Sequence, residues 1–112
     1  MPTKEELKTG LMEVTKKLDD PKTKKSFEKF NKTMQFHFTD VGLDYYVTFE
    51  GGAVVAFEEG KFENPAVDVI MDGDTFLGIL KKELNPINAY SSGKIKVKGE
   101  MTDLLKLQKL LG

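Results

Sequence analysis

The chain has 112 residues, with 18 acidic and 17 basic side chains and a formal charge of −1. It has no cysteine, which excludes disulfides, thiolate zinc sites and thiol nucleophiles. Every base is lysine, so arginine's planar fork is missing, and with charge near zero nucleic-acid binding is not expected.

The length suits one domain over residues 1–112 with a core of its own. The polar start, MPTKEELKTG, has no signal-peptide pattern, and no apolar run approaches the ~20 residues of a membrane span. A cytoplasmic protein is therefore expected.

The first helix is announced by Thr3 and Glu6, which have the spacing of a capping box. Leu7, Leu11, Val14 and Leu18 then fall within about 60° of arc, enough for one neighbour. Asp20-Pro21 starts a second helix, expected to end near Asn31 with Phe27 and Phe30 on its apolar side. Met34, Phe36 and Phe38 alternate with polar residues, His37 among them, and predict a strand. Leu43, Tyr45, Val47 and Phe49 predict the next. The turn Glu50-Gly51-Gly52 leads to a third strand, expected to face inward with Ala53, Val55 and Phe57. Val67, Val69 and Met71 mark a fourth.

Asp72 caps a helix carrying Phe76, Leu77 and Leu80, and Asn85-Pro86 starts a short one carrying Ile87, Ala89 and Tyr90, with Gly93 as its stop. Ile95 and Val97 alternate with Lys94, Lys96 and Lys98 in a fifth strand before a closing helix from about Thr102 to Leu111. Strands and helices that do not alternate strictly indicate an α+β fold. A five-stranded, mostly antiparallel sheet with about five helices on one face is expected.

The closing helix stands apart. Met101, Leu104, Leu105, Leu107, Leu110 and Leu111 spread over about 220°, whereas a helix on a small core needs little more than about 100°. Neighbouring helices, a second copy of the chain, or a bound apolar ligand are the candidate covers.

From Ala66 to Leu110 the sequence resembles the sterol carrier protein-2 family, through AVDVIMDGDTFLGIL and LNPINAYSSGKIKVKGEMTDLLKLQKLL. Asp68, Asp72, Phe76, Leu77, Asn85, Pro86, Ala89, Tyr90 and the run Gly93 to Gly99 match the family's pattern in order, and Ala89 to Gly99 is the most specific stretch. Residues before Ala66 match in layout alone. The final Leu-Leu-Gly is not the peroxisomal tripeptide of many eukaryotic members, which implies a stand-alone prokaryotic type. The resemblance implies an apolar tunnel between sheet and helices that holds a fatty acid, acyl-CoA, isoprenoid or quinone intermediate, or sterol-like molecule, without catalysis.

The residue chemistry points the same way. His37 is the lone histidine and is expected in solvent; Ser26, Ser91 and Ser92 lie in no nucleophile elbow. Asp72-Gly73-Asp74 lacks the oxygen ligands of a calcium loop and reads as a turn and cap, so neither metal nor cofactor is called for. Lys94, Lys96 and Lys98 either guard a strand edge or make transient contact with an anionic membrane. The expected lipid-binding residues are Phe76, Leu80, Ile87, Tyr90, Met101, Leu104, Leu105 and Leu110, with Tyr90 offering a hydroxyl to a polar head. The alternative is an accessory module whose apolar groove takes a partner polypeptide.

Overall fold

Helix starts obey the caps read in the sequence. In the computed structural model, which describes residues 1–112, Thr3 and Glu6 form the reciprocal capping box at the head of α1 (Lys4–Thr15). Asp20 caps α2 (Pro21–Ser26) through the Thr23 amide. Asp72 and Asn85 do the same for α3 (Gly73–Leu80) and α4 (Pro86–Ser91). A last helix, α5 (Met101–Leu111), has no side-chain cap. No helix is long and apolar enough to cross a membrane.

Strands β1 (Thr33–Phe38), β2 (Leu43–Glu50), β3 (Ala53–Glu59), β4 (Val67–Met71) and β5 (Ile95–Gly99) form one sheet in the order β3-β2-β1-β4-β5. The β1/β4 pair is parallel and the others are antiparallel. The fold is α+β, and β5 is an edge strand, which suits Lys96 and Lys98 within it and Lys94 just before it.

Alternation on β1, β2 and β4 sends Phe36, Phe38, Tyr45, Val47, Val67 and Val69 into one core, where Leu7, Leu11, Phe76 and Leu110 meet them. Full burial of such a side chain contributes roughly 1.5–3 kcal/mol. Aromatic pairs add shape: Phe38 and Phe76 lie 5.2 Å apart by ring centroid, and Phe27 and Phe49 also 5.2 Å.

Three expectations needed correction. Helix α2 stops at Ser26 rather than near Asn31, and Phe27 and Phe30 reach the core from the turn beyond it, stacked edge to face at 5.6 Å. On β3 the register slips between Thr48 and Phe49, so Val54 and Phe57 pack on the core while Val55 is exposed. A bulge reverses the phase of strand alternation, which a period of two does not foresee. His37 is not free in solvent: it is half-buried, and Nδ1 lies 2.5 Å from Asp44 Oδ1 across the β1/β2 ladder.

The sheet's second face is partly roofed by the crossover from β3 to β4. Gln35, buried on β1, donates to the carbonyls of Tyr45 and Gly60, each at 3.0 Å, and accepts from the Phe62 amide at 2.6 Å. Phe62 packs on Tyr46, 5.2 Å between centroids. A buried amide with its donors and acceptor engaged carries little desolvation penalty.

Candidate functional site

Glycines aim the elements around the edge of β5. Gly93, at φ +82°, ends α4 and turns the chain into β5, where the Lys94 amide donates to the Ala89 carbonyl at 2.8 Å. Gly99 ends the strand. A Cβ there would sit 2.7 Å from the Ala66 carbonyl oxygen, so only glycine lets the chain leave β5 for α5 at this angle.

The polar residues of α5 tie it down. Asp103 is buried and accepts two hydrogen bonds from Lys32 Nζ, at 2.9 and 3.1 Å. The pairing holds the Lys32 ammonium above its ordinary pKa. Lys106 donates to the Ser26 carbonyl and lies 5.9 Å from the Phe27 ring centre. Held in this way, α5 commits Leu107, Leu110 and Leu111 to the core. Leu104 is half-buried on the core's flank, while Met101 and Leu105 stay 71% and 50% exposed.

Those exposed residues line a groove of about 290 Å³. Ile95 and Val97 of β5 form its floor. Pro86, Ile87 and Tyr90 of α4 form one wall, and Met101, Leu104, Leu105, Leu107, Gln108 and Leu111 of α5 form the other. The groove opens to the surface along one side. Ile87 and Tyr90 are each 55% exposed, so four of the eight large hydrophobic side chains exposed on this chain sit here. No lining residue carries a charge. The groove therefore offers dispersion contact and dehydration.

Of the sequence-expected site residues, the structure brings Ile87, Tyr90, Met101, Leu104 and Leu105 together in this groove. Phe76 and Leu110 are enclosed in the core, and Leu80 borders a second cleft beside Leu84. The floor residues Ile95 and Val97, with Pro86, Leu107, Gln108 and Leu111, were not among those expected. Their signal was present: Ile95 and Val97 alternate on an edge strand that precedes α5 directly.

Away from the groove, the shifted acidities have local causes. Burial foremost, with the Glu59 carboxylate nearby, raises the Tyr45 phenol. A hydrogen bond to Glu58 raises that of Tyr46. No group of three or more His, Cys, Asp or Glu residues is placed to hold a metal ion.

Residues 11–112 match the profile of the SCP-2 sterol transfer family. Stomatin-like protein 1 of Mus musculus is 43% identical over 47 residues, which cover 42% of this chain and 12% of that protein; the chain spans about an eighth of the length of the curated relatives it matches. Among solved structures, Sterol Carrier Protein 2 Like 2 from Aedes aegypti superposes with a TM-score of 0.71 at 20% identity, over 90% of this chain and 92% of that one. Its palmitated form superposes with a TM-score of 0.68 at 22% identity, covering 92% and 91%. The UbiJ-SCP2 ubiquinone synthesis protein gives 0.68 at 15% identity, covering 99% and 93%.

Proposed function

The chain belongs to the SCP-2 sterol transfer family, and we propose that it binds the apolar chain of a lipid-like molecule in the groove between α4, β5 and α5, as a carrier without catalytic activity. The carrying observation is the convergence of Ile87, Tyr90, Met101 and Leu105, all half-exposed or more, on one uncharged groove. Left bare, such a patch costs hydration free energy; an acyl or isoprenoid chain removes it from water. Likeness to the palmitated Aedes aegypti protein supports an acyl ligand, and likeness to the ubiquinone synthesis protein supports an isoprenoid one.

Magnitudes make the reading workable. A dozen buried methylenes contribute about 10 kcal/mol gross. Association costs at least about 4 kcal/mol, which leaves about 6 kcal/mol, or tens of micromolar. An apolar tail therefore suffices for exchangeable binding, the affinity a carrier needs.

Native mass spectrometry of freshly purified protein, with extraction of the bound lipid, tests this. Saturating fatty acid or isoprenoid at a hundredfold excess over Kd should stabilise the fold by about 2.7 kcal/mol, a Tm rise of about 10 °C. A ligand-free protein whose Tm neither ligand moves would overturn the proposal.

A further inference from the structure

The apolar groove has a neighbour at Leu111. Pro86 and Leu111 border both it and a second cleft of about 470 Å³ on the far side of α5's last turn. The character of the lining changes there: Lys17, Lys82 and Asn85 face the second cleft, with Glu13 its one acidic side chain. We propose that this cleft binds the acidic head, carboxylate or phosphate, of the lipid whose tail lies in the groove. This rests on the tail assignment above and adds the class of ligand.

Three observations support it. Neither lysine belongs to any of the chain's ion pairs, and Glu13 of the same cleft pairs with neither. Burial, and then the neighbouring Lys82, depress the pKa of Lys17; an anion between the two ammoniums relieves that repulsion. The third is backbone geometry. Helix α3 closes with the paired bonds of a Schellman turn, from the Lys82 amide to the Ile79 carbonyl and from the Glu83 amide to the Gly78 carbonyl. The left-handed position of that turn, where glycine is the ordinary choice, is Lys82, at φ +62°. A residue other than glycine is strained in this conformation, and strain of this kind gathers at ligand sites. The Asn85 carboxamide oxygen is occupied by the Ile87 and Asn88 amides, which leaves its NH2 as a further donor.

The test compares ligands that share a sixteen-carbon tail: palmitate, hexadecyl phosphate and uncharged hexadecanol, titrated into the full chain at pH 8 by calorimetry. The unaltered protein should bind at least one anion about tenfold or more tightly than hexadecanol, the gain of one charge-assisted contact. Whichever anion binds more tightly identifies the head as carboxylate or phosphate. The Lys17→Gln/Lys82→Gly variant should bind all three within about twofold of one another, with hexadecanol unchanged. Glycine suits φ +62°, so its Tm should hold or rise, which separates lost binding from lost folding. Equal affinities in the unaltered protein, or a preference that survives in the variant, would overturn the head-group assignment alone. Failure of all three to bind would overturn it together with the tail site.

Discussion

Replacing Leu105 with aspartate separates the groove from the core. Leu105 is 50% exposed, lines the groove and is not part of the buried cluster. Folding loses the half of the side chain already covered, about 1 kcal/mol, and a few tenths in helix propensity, so Tm should fall by about 5–8 °C. Binding loses more. A bound tail would cover the other half, worth about 1 kcal/mol, and an unpaired carboxylate beneath it costs about 2 kcal/mol or more. Together these weaken affinity by a hundredfold or more. Titration with palmitate, alongside thermal melting of the free proteins, reads both quantities. A variant that binds within threefold of the unaltered protein would refute the reasoning, as would one that no longer folds. Leu104 is a poorer probe: it is half-buried against the core, so Leu104→Asp should lower folding stability and binding together.

Gly10→Ala should destabilise the fold by about 1 kcal/mol net on chemical denaturation: its Cβ would lie 2.7 Å from Leu80 Cδ1 and 2.8 Å from Phe76 Cε2, and overpacking outweighs the gain in helix propensity. Asn85→Ala removes the cap that holds the first amides of α4, at 2.8 and 3.1 Å, and should cost about 1 kcal/mol while raising amide exchange in that groove wall. The Tyr45 phenol titrates higher in the folded chain, because of burial and then Glu59, so folding retains its proton. Its contribution is fully present below the unfolded phenol pKa near 10 and is lost as pH rises through the higher folded value. Tyr45→Phe should flatten the fall in stability above pH 10 in alkaline denaturation.

Four of the five helix starts were legible because each carries its own chemistry: Thr3 with Glu6, Asp20 with Pro21, Asp72, and Asn85 with Pro86 all act within three residues. Strand alternation gave β1, β2 and β4 their inner faces for the same reason. What stayed hidden is set by partners distant in the chain. The Thr48/Phe49 bulge that turns Val54 inward depends on pairing between strands, and the buried Asp103 of α5 is neutralised by Lys32, 71 residues away. The wide arc of α5 serves two faces, with Leu110 in the core, Met101 and Leu105 at the groove, and Leu107 and Leu111 touching both. Sequence alone does not separate Leu110 from Leu105, or Phe76 from Tyr90, because a buried side chain and a groove-lining one share the same chemistry. Only the geometry of α4 and β5 tells them apart.

Methyl-labelled NMR during titration with palmitate tests the central claim most directly. Contacts between acyl methylenes and the methyls of Ile87, Val97, Met101, Leu104 and Leu105 are expected, with the methyls of Leu7 and Leu11, deep beneath α1, unmoved. Acyl contacts on another surface, or none at saturating palmitate, would contradict it.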